Sequence, residues 1–134
     1  MGMKISQSGF TLIELVVVIV ILGILSAVAL PKFINVSAQA GAAAASGVAA
    51  AISSATSINY AARKASNVSA TPNLTSCNAV NASAGTLLAG GLPAGFIITP
   101  DATACTDGTS RSCQVVNNSV SPAQSASAVI VCVN

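Results

Sequence analysis

The run Phe10–Leu30 carries a single charged residue, Glu14, and constrains the chain more than any other feature. About twenty consecutive apolar residues are what a helix needs to cross a bilayer. Lys4 lies in the short polar stretch before the run and predicts that the N-terminal end stays on the cytoplasmic side. The remainder then emerges into an oxidising compartment. A secretory signal peptide has a shorter apolar stretch followed by a small-residue cleavage site. Here the small residue, Gly9, precedes the run. Cutting after it removes a leader, residues 1–9, and leaves the hydrophobic segment, residues 10–31, attached.

Past Pro31 the pattern changes. Residues 32–66 are rich in alanine and serine and contain no proline. Phe33, Val36, Ala40, Ala44, Val48, Ala51, Ala55, Ile58 and Ala62 share one face at helical spacing. Asn35, Gln39, Ser46, Ser53, Ser57 and Lys64 share the other. This predicts an amphipathic helix, continuous with the membrane run, whose alanine-rich face points to the core. Gly23 and Pro31 are its weak points, since glycine costs entropy and proline removes a helical hydrogen bond.

Residues 67–134 form the expected globular head. The stretch to Gly95 has the composition of loops. Three β-type runs follow, Phe96–Thr99, Cys113–Val116 and Ala128–Val133, separated by turn residues at Asp107-Gly108 and Ser121-Pro122. A small antiparallel sheet packed on the helix makes the fold class α+β. Much of the apolar content is alanine, so the core is expected to be thin.

The chemistry available is narrow. Five basic and three acidic residues give a net charge of +2, too small and scattered for a nucleic-acid partner. Histidine and tryptophan are absent, which removes the commonest general base and the commonest metal ligand. No catalytic, metal or cofactor site is expected. Cys77, Cys105, Cys113 and Cys132 all lie in the head and form no C-x-x-C pair. They read as two disulfides rather than a zinc site. Four cysteines allow three pairings. A hairpin around Ser121-Pro122 that sets Asn117 opposite Ala128 also sets Cys113 opposite Cys132, within disulfide range. That leaves Cys77 for Cys105. The competing arrangement joins Cys105 to Cys113 across Asp107-Gly108, and Cys77 to Cys132.

A carboxylate early in a membrane helix costs about 2.5–3.5 kcal/mol on insertion scales, and such a residue by default has a partner. The plainer alternative is that Glu14 sits near enough to the interface to stay wet. Cleavage after Gly9 creates an α-amino group on Phe10, a positive charge four residues from Glu14. Opposite charges a few Å apart attract by about 4 kcal/mol at an effective dielectric near 20. A subunit entering a bundle of such helices can therefore pair its amino terminus with a neighbour's Glu14, which fixes one axial register.

The string Gly9-Phe10-Thr11-Leu12-Ile13-Glu14-Leu15, followed by the Val/Ile/Leu run, closely resembles the type IV pilin N-terminus, which type II secretion pseudopilins share. Residues 4 to about 35 carry the resemblance. Within it, Val16–Asn35, with Ala29-Leu30-Pro31-Lys32-Phe33, is most similar to the mannose-sensitive haemagglutinin (MSHA) class. Ser112-Cys113-Gln114-Val115 and the terminal Cys132 are similar to that class more weakly.

The resemblance implies the type IV pilin fold and cleavage between Gly9 and Phe10 by prepilin peptidase. It also implies N-methylation of Phe10, a role for Glu14 in assembly, and helix melting between Gly23 and Pro31 in the filament. The chain is then no enzyme. It is a subunit held in the inner membrane, head outward, and polymerised with copies of itself by a pilus assembly machine into an extracellular filament. Two other readings compete: a pseudopilin or minor pilin, and an anchored domain that never polymerises.

Weaker signals have plain explanations. Asp101 and Asp107 are too few ligands for a calcium site. The sequons at Asn67, Asn73, Asn81 and Asn117 are expected by chance in a chain so rich in serine and asparagine. Arg63-Lys64 suits the negative end of the helix dipole. Phe33 and Phe96 are expected in the core.

Overall fold

The computed structural model describes residues 9–66 and 71–134. The rest of the expected leader, with Lys4, and the Asn67 sequon lie outside the described residues. The elements in chain order are α1 (Leu12–Ser66), α2 (Cys77–Ala82), α3 (Ala84–Leu87), β1 (Phe96–Ile98), β2 (Ser110–Asn117) and β3 (Gln124–Val131). The fold class is α+β, as expected. The chain divides into two compact units, one ending at Val36 and one spanning Ser37–Asn134, and α1 contributes to both.

In the first unit α1 runs through Gly23 and Pro31 as helix. Every large apolar side chain from Phe10 to Leu30 is exposed. A soluble protein's core helix would bury such a run; this one meets the length and hydropathy needed to cross a membrane while burying none of it. Ser26 turns its hydroxyl onto the Leu22 carbonyl at 2.7 Å, so that side chain's donor is satisfied within the helix. Phe33, expected in the core, is 74% exposed.

In the second unit the three strands form one antiparallel sheet in the order β1-β2-β3. Alternation along β2 and β3 turns Cys113, Val115, Asn117, Ala128 and Ile130 inward. Leu74, Val80, Ile98, Cys132 and Val133 complete the core, with Ala49 and Ile52 from α1. The stretch expected to be loop holds α2 and α3. Ser76 caps α2 by accepting the Ala79 N–H at 3.2 Å, which satisfies one of the orphan donors of a helix start. Leu74 and Val133 exchange backbone hydrogen bonds at 2.8 and 3.0 Å, so the C-terminal end is tied into the head.

The helix buries a different face from the one its pattern indicated. Ala45, Ala49, Ile52, Thr56 and Asn59 are buried, as is Gly41. Ala40, Ala44, Ala51 and Ile58 are exposed. Each buried position lies one residue past the expected stripe, about 100° around the helix at 3.6 residues per turn. The cause is chemical. Alanine occupies both faces, so the period is visible and the phase is not. Hydroxyl residues that count as polar are used inside: Ser53 Oγ accepts the Val129 N–H at 2.9 Å, and Thr56 Oγ1 accepts the Val131 N–H at 3.3 Å. Those N–H groups belong to the outer edge of β3, which would otherwise offer unpaired donors.

The expected cysteine pairing is corrected. The disulfides are Cys77–Cys113 and Cys105–Cys132, with Cα–Cα distances of 5.7 and 6.1 Å. Neither Cys113–Cys132 with Cys77–Cys105, nor the competing arrangement, is formed. Strand register explains the difference. β3 begins at Gln124, opposite Asn117, so Cys113 faces Ala128. Cys132 lies past the end of this ladder, with its N–H on the Thr109 carbonyl at 2.8 Å. Four residues of strand separate it from Cys113, about 13 Å at 3.3 Å per residue, too far for a bond. The tighter hairpin has a local basis: Asn117 Oδ1 accepts the Ser119 N–H at 2.9 Å, and the Gly95 carbonyl accepts the Asn118 N–H at 2.8 Å.

Candidate functional site

Of the residues that sequence reasoning singled out, Gly9, Phe10 and Glu14 lie at the start of α1, Gly23 and Pro31 lie within it, and the cysteines lie in the head. Helix begins at Leu12, which makes Thr11 the N-cap and Glu14 the third helical residue. Glu14 Oε2 accepts the Thr11 N–H at 2.9 Å and the Thr11 hydroxyl at 2.6 Å. Thr11 Oγ1 accepts the Glu14 N–H at 3.4 Å. This is a reciprocal capping box, in which threonine and glutamate each satisfy an orphan donor of the helix start. The negative carboxylate also faces the positive end of the helix dipole. Thr11 was not singled out from sequence, although T-x-x-E before an apolar run is the signature of such a box.

The box leaves Glu14 with capacity to spare. Its Oε1 makes no hydrogen bond among the described residues. Phe10 is 82% exposed, and Gly9 has no atom within 4 Å of where a Cβ would stand. Phe10, Ile13, Glu14, Val17 and Val18 line one open depression, the i, i+3, i+4, i+7 and i+8 positions of a single face. One side of α1 therefore presents the Gly9–Phe10 junction, an exposed aromatic and a carboxylate with an open oxygen, set in an apolar surface.

In the head the charged residues are paired off. Lys64 bonds Asp107, and Arg111 bonds Asp101. Arg63 Nη1 donates to the Thr71 carbonyl at 2.5 Å. The Thr103 hydrogen bonds, then the Arg111 guanidinium, hold the Asp101 carboxyl at about 2, below its ordinary value. The Lys64 ammonium lowers Asp107, and Asp107 in turn raises Lys64. Asp101 also accepts the Thr103 N–H at 2.8 Å and Asp107 the Asn134 N–H at 3.4 Å. Both carboxylates are thus occupied within the fold. The described residues contain no group of three acidic, cysteine or histidine side chains positioned to hold a metal.

Residues 4–30 match the family model of the prokaryotic N-terminal methylation motif. The chain is 54% identical over 50 residues to the type IV narrow pilus major component PilA5 of Thermus thermophilus, a match covering 37% of this chain and 43% of the relative. The chain thus spans under half the length of that curated relative. No solved structure matches it significantly. Over these stretches the chain is similar to a type IV pilus component, and the rest of the α+β chain lies outside both matches.

Proposed function

We propose that the chain is the major structural subunit of a type IV pilus, a filament serving adhesion, motility or a related surface function. The observation that carries the proposal is the methylation motif over residues 4–30, on a helix whose apolar run is wholly exposed in the single chain. Such a surface is covered first by the inner membrane and then by like helices of other copies. In this reading prepilin peptidase cuts between Gly9 and Phe10 and methylates Phe10. The new amino group pairs with Glu14 of a neighbouring subunit while Thr11 steadies that carboxylate. The N-terminal end is cytoplasmic before assembly and the disulfide-bonded head is periplasmic. An inner-membrane machine extracts the subunits, and α1 unwinds between Gly23 and Pro31 as they pack. The stretch Ala29–Phe33 supports an MSHA-type subunit. The chain is the peptidase's substrate and a building block, not an enzyme.

Shearing tests this reading. Material released from cells by shear is expected to contain this chain as the dominant band, and deletion is expected to remove the filaments seen by electron microscopy. A chain that stays in the membrane while filaments persist without it would transfer the assignment to a minor pilin or a type II secretion pseudopilin.

A further inference from the structure

Asp107-Gly108 is the one place in the sequence where an aspartate or asparagine precedes a glycine. Such a pair is prone to isomerise. The glycine nitrogen attacks the aspartate Cγ, an N–Cγ bond forms, and water leaves, made from the nitrogen proton and a carboxyl hydroxyl. Water then opens the succinimide ring at the main-chain carbonyl, and the chain continues through the side chain as isoaspartate. Composition is unchanged, and the backbone is longer by a methylene carbon. Glycine has no Cβ to obstruct the attack. Both residues are exposed, so burial does not keep water from them.

The atoms that must react are nevertheless held. The Gly108 N–H donates to the Cys132 carbonyl at 2.9 Å, and the Cys132 N–H donates to the Thr109 carbonyl at 2.8 Å. The Cys105–Cys132 disulfide ties the same two segments together. Attack requires the glycine nitrogen to give up its proton and turn from that carbonyl toward Cγ, which breaks the hydrogen bond. On the carboxylate, Lys64 Nζ holds Oδ2 and the Asn134 N–H reaches Oδ1 at 3.4 Å. Water leaves readily only from a protonated carboxyl, and the hydrogen bond from Lys64 holds Asp107 below its ordinary value, hence ionised. Gly108 sits at φ +78°, and a Cβ there would stand 3.2 Å from the Tyr60 hydroxyl. The turn therefore requires glycine, and a bulkier residue cannot remove the hazard.

We propose that Lys64, Asn134 and the Cys132 carbonyl guard Asp107-Gly108 against conversion to isoaspartate, and that Asp107 is the site at which the head ages once they are removed. The guard belongs to the folded head and is independent of the filament reading. It gives the half-exposed Lys64–Asp107 pair a role beyond stability, to which exposed ion pairs contribute little.

The full-length, disulfide-bonded chain is incubated for weeks in detergent at near-neutral pH beside a synthetic peptide of residues 106–110. Isoaspartate is counted with an isoaspartyl methyltransferase and located by peptide mapping. Asp107 in the chain is expected to convert about ten-fold more slowly than in the peptide. Lys64→Gln is expected to raise the rate about three-fold, with both disulfides intact and amide exchange at Val115 unchanged, and Lys64→Arg to hold it near the wild-type rate. Asp107→Asn reads the backbone half of the guard without the ion pair: its deamidation is expected to be about five-fold slower in the chain than in the matching peptide. Conversion of the wild type as fast as the peptide, no gain in a folded Lys64→Gln chain, or equal deamidation rates in chain and peptide would each overturn the proposal.

Discussion

Glu14 is bound twice by Thr11 and still keeps one oxygen open. That combination separates two roles that one substitution would confuse. Glu14→Ala removes both the cap and the counter-charge. Membrane insertion should hold or improve, since a charge leaves an apolar helix, while filament yield falls steeply. Thr11→Val removes the hydroxyl and leaves the carboxylate free to pair. It costs about 0.5–2 kcal/mol of capping and should lower yield far less than Glu14→Ala. Quantifying membrane-bound and sheared chain in both variants checks this; equal losses would place the function in the cap. Asp101 supports a second prediction at this scale. Its folded-state pKa of about 2 lies below the ordinary 3.8, so its contribution to stability is present above about pH 4 and fades as pH falls through about 2. The melting temperature of Asp101→Asn should depend less on pH across that window than the wild type's. Identical acid limbs would show that the Thr103 and Arg111 contacts do not matter to stability.

At the scale of elements, helix and sheet meet through small residues and hydroxyls. Ser53 and Thr56 take the N–H groups of Val129 and Val131, and Gly41 lets the β2–β3 turn come close. A Cβ at Gly41 would stand 2.5 Å from Val120 Cγ2. Gly41→Leu should therefore destabilise the head by about 1–3 kcal/mol through overpacking. Ser53→Ala should remove a hydrogen bond with a net value of about 1 kcal/mol and speed amide exchange at Val129 roughly five-fold, leaving Val115 unaffected. Uniform acceleration across the sheet would contradict this local account.

What the sequence disclosed follows the same physics. The apolar N-terminal run was legible because it is nearly unbroken, and the three strands because β-branched residues gather between turn residues. The buried face of α1 was not, because alanine populates both faces and two hydroxyl residues serve as interior acceptors. The helices α2 and α3 were not, because residues 77–87 carry no clear period. The T-x-x-E box is legible in the string, where Thr11 stands three residues before Glu14 and ahead of the apolar run.

The whole molecule joins an exposed apolar helix to a head held by two disulfides. Sequence limited the cysteines to three pairings, and a four-residue difference in hairpin register decided among them. Peptide mapping without reduction should find Cys77 linked to Cys113 and Cys105 linked to Cys132; a Cys113–Cys132 fragment would refute the register. Losing either bridge should cost about 2–4 kcal/mol, a large share of what a small domain has. The central claim, that this chain is clipped after Gly9 and polymerised through the exposed helix, is tested most directly by the intact mass of the chain in sheared filaments. The account predicts a chain that begins at Phe10 and is heavier by one methyl group; assembled chains that begin upstream of Phe10 would contradict it.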